Sequence, residues 1–490
     1  MTSFSFVNSV SLTADVTMAL PQAMVLQATG EWEGSDGKWS TFSLQVGSEP
    51  SLNFHVLPSI SGWQILLPDP TLICKGPNNI TDSGCLRSRG AYAFGSLDQS
   101  TTWTPEGVRG LQAHPTLFAE DDSLTAEFGL DTIALENVSS LIQVVQEKQV
   151  VGGYANDKYW LGLLGLATRQ TDLSVDASSE AVFQSPLASL LQNGTIPSLS
   201  FGYTAGSYYG KSQPKNGILS GITDRAAGAN NFGSLTLGGY DASRRSPQSS
   251  QNLEVKIDNQ SYDLKVQLLD ISVSNGTTGG QRSLLPIGET YSMFLDTSTS
   301  QLWLPEAVCD MFVSSFGIEE DSTGLFRINA TAHQVLIQNN PSVTFTLGPG
   351  DGSDRKLSIE FGYNAFDLKV SAAPNGPYPS NFTYFPIRRA ANDSQFVLGR
   401  AFFQETYITV DWGRANFTLS KAQPFVEGVP SNPQSIAPPE EPSSGTRALS
   451  SSEKVGIGIG SLSIFTLQQD KEDQAIWKEI YILVNARMLL

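Results

Sequence analysis

The stretch "FLDTSTSQLWLP", Phe294–Pro305, sets one acid, Asp296, behind two apolar residues and ahead of a run of small hydroxyl residues. It then returns to an apolar triplet closed by proline. This is how a buried strand delivers a carboxylate at its end, turns, and comes back as a second buried strand. A catalyst that works with a carboxylate of this kind usually needs a second one facing it, so the pattern asks for a partner to Asp296.

An earlier stretch, "VLPSISGWQILLP" (Val56–Pro68), lays without gaps on "MFLDTSTSQLWLP" (Met293–Pro305). Each is an apolar strand, a small turn, a second apolar strand and a proline, and each is followed by a cysteine, Cys74 or Cys309. The pairing is a weak sign of an internal repeat. Its register puts Ser59 opposite Asp296, Ile60 opposite Thr297 and Ser61 opposite Ser298. A serine hydroxyl neither shares the proton nor serves as the base at acidic pH. Asp69, the nearest acid on the C-terminal side, lies beyond the proline that ends the motif.

Composition frames this local reading. The chain of 490 residues has 40% hydrophobic and 10% aromatic side chains, enough for a sizeable core and two or more domains. Short runs such as "STFSLQV", "SLTLGG", "VTFTLG" and "YITVDW", parted by Gly, Pro, Asn and Asp, predict an all-β chain. Two helices are expected, over Ser185–Gly194 and Pro305–Gly317, each opened by Ser or Pro and closed by Gly, and both on the surface. A balance of 30 Lys+Arg against 48 Asp+Glu, net −18, disfavours nucleic acid and anionic membrane surfaces as partners.

Cys74, Cys85 and Cys309, with three histidines, form no cluster of metal-ligand spacing, so no metal and no cofactor are proposed. Cys74 and Cys85 flank the turn-rich "KGPNNITDSG" and are expected to form a local disulfide, leaving Cys309 as a small buried hydrophobe. His55 reads as an ordinary strand residue. Sequons stand at Asn79, Asn137, Asn193, Asn259, Asn275, Asn329, Asn381, Asn392 and Asn416, nine of 23 asparagines, and this enrichment points to the secretory pathway.

The termini fit that route poorly. Residues 1–28 lack a basic leader pattern, and "VGIGIGSLSIFTL" (Val455–Leu467) is shorter than the roughly 20 apolar residues of a complete membrane span. From Pro424 the chain turns Pro/Ser-rich and reads as an extended linker.

With these landmarks in order, the chain resembles the pepsin-like aspartic peptidases. "FLDTSTSQLWLP" is similar to the second Asp-Thr/Ser-Gly loop of that family, and "WLGLLGLA" (Trp160–Ala167) to the apolar Gly-Leu-Gly segment of its first lobe. "IPSLSFGY" (Ile196–Tyr203), "GSLTLGGYDASR" (Gly233–Arg244) and "FVLGRAFFQETYITVDWGRANFTLS" (Phe396–Ser420) resemble its interlobe strand, the opening of its second lobe and its closing strands. The details most resemble a filamentous-fungal branch with a signal peptide, a Pro/Ser stalk and a membrane anchor.

The resemblance implies a bilobal β fold with a cleft between lobes at 31–205 and 206–423. An N-terminal segment (1–30) would precede them, and a linker (424–454) and a truncated apolar segment with a divergent tail (455–490) would follow. It assigns Asp296 to the second catalytic position and Ser59 to the first, where the family has Asp. Thr297, Ser298, Ile60 and Ser61 become loop supports. It also puts Ala119 where the family's flap carries Tyr, or Phe118 beside it if the register slips by one. The expectation is a secreted or surface-tethered monomer with a decayed dyad that binds a peptide, protein or wall polymer. The alternatives are an acid endopeptidase with an unusual site and an inhibitor-like scaffold.

Overall fold

The computed structural model describes residues 21–440 apart from 49–50, 76–81, 93–94, 112–123, 138–141, 157–158, 175–180, 210–230, 259–260, 262, 275–280, 373–376 and 426–428. Strands dominate, gathered into one 14-stranded and one 8-stranded sheet with three small sheets, as the alternating runs predict. The fold is all-β and two-lobed, as the resemblance implies.

One pairing scheme occurs twice. In the first lobe Leu52–Ser59 lies parallel to Gly162–Gly165, which is antiparallel to Ile65–Pro68, itself parallel to Ile142–Tyr154. In the second, Tyr291–Leu295 lies parallel to Val397–Leu398, which is antiparallel to Leu302–Leu304, itself parallel to Ile387–Arg389. The gapless repeat is therefore a repeat of structure. Strands in the middle of such a unit are covered on both faces, which is why Ile65–Pro68 and Leu302–Leu304 read as unbroken apolar runs and are buried throughout.

A glycine serves each unit at the same place. A Cβ on Gly165 would lie 2.5 Å from the Gln64 backbone nitrogen, and one on Gly399 would lie 2.1 Å from the Gln301 carbonyl oxygen. Only glycine lets the returning strand pass that close to the loop.

The lobes are joined through strands that cross between them. Ser200–Ser207 pairs with Asn231–Leu237 on one side and Thr406–Asp411 on the other, and Thr406–Asp411 pairs with Asn416–Lys421. Met24–Leu26 lies beside Asn231–Leu237 and touches Asn137 at Leu26. The expected boundaries at 30/31 and 205/206 therefore shift, because one falls within the strand Ala28–Glu33 and the other within Ser200–Ser207.

The expected linker also begins too early. Pro433–Ser435 pairs with Gly239–Asp241, and Arg414 Nη1 donates to the Ala437 carbonyl at 2.9 Å. An open strand edge at Gly239–Asp241 recruits this proline-containing segment despite its lack of apolar period. Met1–Pro439 forms one compact unit. The stretch Val455–Leu467 lies outside the described residues, and among those described no helix is long and apolar enough to cross a membrane.

Both expected helices form, as Pro186–Gln192 with Ser185 capping the Ala188 N–H and as Glu306–Phe316 closed by left-handed Gly317. Neither is a surface helix only. Val308, Phe312 and Phe316 are buried, each contributing about 1.5–3 kcal/mol of apolar burial. Cys74 and Cys85 are disulfide-bonded, and Cys309 is buried and free, its thiol pushed up to about 12 by burial.

Candidate active site

The two repeated turns meet face to face. Thr297, fully buried, donates from Oγ1 to the Pro58 carbonyl at 2.6 Å and accepts the Ile60 N–H at 3.1 Å. These two bonds lock the second-lobe turn onto the residues on either side of Ser59, so the register read from sequence is the register in space. Ile60, also fully buried, carries no hydroxyl to reciprocate, and the lock is one-sided.

Asp296 is fully buried at the end of Tyr291–Leu295. Its Oδ1 accepts from Ser61 Oγ at 2.6 Å, Ser298 Oγ at 2.6 Å and Ser298 N at 2.9 Å. Its Oδ2 is buried with no hydrogen-bond partner. Ser61, from the first-lobe turn, is thus the group that reaches across to the acid. Ser59 is 3% exposed and its Oγ accepts the Gly62 N–H at 3.1 Å, so it is engaged in its own turn. Ser298 stands where the family pattern has glycine without strain, since the described non-glycine residues of positive φ are Lys148, Asn340 and Ala415 only.

Asp69 offers no substitute, because its carboxylate caps the helix Pro70–Ile73 by accepting from Thr71 N at 2.8 Å and Leu72 N at 3.0 Å. His55 is not an ordinary strand residue. Its Nδ1 lies 2.9 Å from Glu33 Oε2, while Tyr92 donates to Glu33 Oε1 at 2.8 Å and Thr41 Oγ1 donates to Glu33 Oε2. Burial tends to raise the Glu33 pKa, but the bonds from His55, Thr41 and Tyr92 prevail and hold it below the ordinary range. The flap positions Phe118 and Ala119 lie outside the described residues.

Sequence reading missed Tyr159. Its phenol is buried without a hydrogen-bond partner, and its pKa is raised well above the usual value by burial, with the Asp296 charge adding to the effect. Only its place just before the repeated Gly162–Gly165 strand signals it. Of the sequons, Asn193, Asn329, Asn381 and Asn392 are exposed, Asn137 and Asn416 are half-buried, and Asn79, Asn259 and Asn275 lie outside the described residues. Asn329 caps the helix Ala330–Asn339 through its side-chain oxygen, which leaves the amide nitrogen pointing away from the cap.

A two-lobed β protein with an acid-bearing turn from one lobe locked against the matching turn of the other defines the class. A family model described as eukaryotic aspartyl protease matches residues 100–422, and the chain belongs to that family. The matched span contains the Asp296 turn and leaves out the Ser59 turn. The chain is 25% identical to Pepsin B of Canis lupus familiaris over 313 residues, 61% of this chain and 64% of that protein. It is 23% identical to Rhizopuspepsin-2 of Rhizopus niveus over 282 residues, 56% of this chain and 61% of that one. The match thus spans less than two thirds of these relatives' length. The crystal structure of aspartic proteinase from Irpex lacteus is similar at a TM-score of 0.49 and 15% identity, covering 82% of this chain and 97% of that chain.

Proposed function

We propose that this chain is a pepsin-like protein without peptidase activity, whose interlobe cleft holds an extended peptide or a wall polymer. The observation that carries this reading is the partner of Asp296: the group facing it across the lobes is the Ser61 hydroxyl at 2.6 Å, in a turn whose first position is Ser59. Aspartic peptidase chemistry divides two tasks between two carboxyls sharing one proton. With Asp296 alone, no like charge holds a second carboxyl neutral, and nothing donates to the scissile carbonyl while Asp296 takes the proton from water. Losing one member of such a unit costs about 10⁴-fold or more in rate.

The disulfide Cys74–Cys85 and the exposed sequons at Asn329, Asn381 and Asn392 support the secreted or surface-tethered glycoprotein part of the reading, while the Asn193 amide donates to Gln146 Oε1 at 2.7 Å; the fungal branch and the monomeric state belong to the same proposal. The test is to incubate the full-length chain, made in a eukaryotic secretory host, with a denatured protein across acidic pH. No cleavage is expected. Cleavage that a transition-state analogue of aspartic peptidases blocks and that Asp296→Ala abolishes would establish an active acid endopeptidase and overturn the reading.

A further inference from the structure

Between the strand Ala28–Glu33, the helix Ser83–Ser88 and residues Ser371 and Ala372 lies a cavity of about 670 Å³. It shares Gly34, Ser35 and Trp160 with the cavity that adjoins the Asp296 turn, so it continues the interlobe cleft. The Ser371 N–H donates to the Ser35 carbonyl at 2.8 Å, and both lobes contribute to its wall. Among the described residues its lining contains no Leu, Ile, Val, Met or Phe. Its large apolar surfaces are the rings of Trp32, Tyr92 and Trp160, set among serines, glycines and charged heads.

These rings are held in place before any ligand arrives. Tyr92 is 38% exposed, donates to Glu33 Oε1 at 2.8 Å and has the His55 ring 4.0 Å away. Glu33, held in turn by His55 and Thr41, is the positioning residue for that ring. Trp32, half-buried, stacks on Phe232 at 5.0 Å, and Trp160 donates its indole N–H to the Ser88 carbonyl with Arg89 over its ring at 4.4 Å. The charges cancel as well. Glu31 and Glu33 stand against Lys38 and Arg87 in the lining, and Asp82, which caps the helix, stands against Arg89 next to it. In and beside the neighbouring cavity, Asp36 and Asp296 stand against Arg388 and Arg400.

Such a lining suits neither an ion, which needs an excess of the opposite charge, nor an aliphatic side chain, which needs an aliphatic wall. It suits a sugar ring. The C–H face of a pyranose packs on the negative face of an aromatic ring, and its hydroxyls, each both donor and acceptor, match serines and charged heads of either sign. Rings fixed beforehand lower the cost of ordering on binding. We propose that this recess binds a neutral sugar unit of a wall polysaccharide, with Tyr92 and Trp32 as its stacking surfaces. The inference rests on the ligand-binding reading of the cleft and chooses the polymer over the peptide. The sequon Asn381 stands at the rim, its Oδ1 accepting the Ala372 N–H at 2.6 Å, so a glycan on this chain is the other source of the same chemistry.

The experiment is calorimetric titration of the full-length chain, made in a eukaryotic secretory host, with neutral hexasaccharides of glucose, mannose or N-acetylglucosamine and with uncharged octapeptides. At least one hexasaccharide should bind, with an affinity that does not change as salt is raised, since no net charge is neutralised. Tyr92→Leu, which keeps an apolar side chain but no ring, should weaken that binding about tenfold, and Tyr92→Phe should keep it. Undiminished binding in Tyr92→Leu, or equal loss in Tyr92→Leu and Tyr92→Phe, overturns the recess. Binding of octapeptides without any hexasaccharide overturns the recess and leaves the cleft reading standing, whereas failure of both ligand classes overturns the two together. Hexasaccharide binding that appears only in Asn381→Gln assigns the recess to the chain's own glycan and overturns the wall polymer as its ligand.

Discussion

The two turns that face each other differ in what they bring to a shared geometry. The second-lobe turn supplies a carboxylate at Asp296, a hydroxyl at Thr297 that makes two of the three bonds between the turns, and a serine at 298 that braces the acid. The first-lobe turn supplies backbone to the lock, the Pro58 carbonyl and the Ile60 N–H, and one side-chain donor to the acid, Ser61 Oγ, with Ser59 turned to Gly62. Backbone groups survive any substitution that keeps the chain path, whereas a shared proton needs a side chain at one position. The lock in this fold is therefore independent of which side chain stands at position 59.

The sharpest way to break the contrast is to rebuild the first turn. Ser59→Asp with Ile60→Thr and Ser61→Gly should raise peptidase activity at acidic pH from background by about 10⁴-fold or more if the cleft is otherwise intact. Turnover of a denatured protein measures it, and Asp296→Asn added to the triple variant should return it to background.

The lock itself comes next. Thr297→Val leaves the Pro58 carbonyl and the Ile60 N–H buried without a partner, each costing about 1–3 kcal/mol, so a loss of about 2–6 kcal/mol is expected in denaturant unfolding. Ser59→Ala, which removes only an acceptor for the Gly62 N–H, should cost about 1 kcal/mol. Equal losses from the two variants would refute the asymmetry.

Removal of the Cys74–Cys85 disulfide, by Cys74→Ala with Cys85→Ala, opens a short loop in the first lobe only. About 3 kcal/mol is expected from the chain-entropy model. Thermal melts with and without reductant check it.

The smallest effect concerns pH. Glu33 has a folded pKa below its ordinary value of 4.5, so it contributes stability that is present above about that pH and is lost as pH falls through the lowered folded value. Glu33→Gln should flatten this acid limb of the stability curve while leaving the Asp296 side unchanged. A limb that keeps its slope in the variant would assign it to other carboxylates.

Much of this was legible in the residues. Strand-rich composition, the two capped helices at Ser185 and Pro305, the Cys74–Cys85 pair and the gapless repeat all rest on local chemistry: turn formers, apolar period and short loop closure. The repeat went further, because strands covered on both faces leave uninterrupted apolar runs, and two such runs with matching prolines carry their register in the sequence. Local rules failed where a partner came from elsewhere. The segment Pro433–Ser435 has no strand pattern of its own and is a strand only because Gly239–Asp241 leaves an edge for it.

Sequence alone thus determined that one turn bears an acid and its twin does not, since that is a matter of which side chain stands at which repeat position. It did not determine what meets that acid. Ser61 rather than Ser59 reaches Asp296, Tyr159 lies within range of its charge, and His55 binds Glu33, each pairing residues from separate strands. Nor did it place Arg388 over Trp303, its neighbour on the adjacent second-lobe strand, or Arg400 against Trp39, which requires the two lobes to close on each other. Hydrogen bonds and ion pairs depend on distances of a few ångströms between groups distant in the chain, and only the packed lobes set those distances.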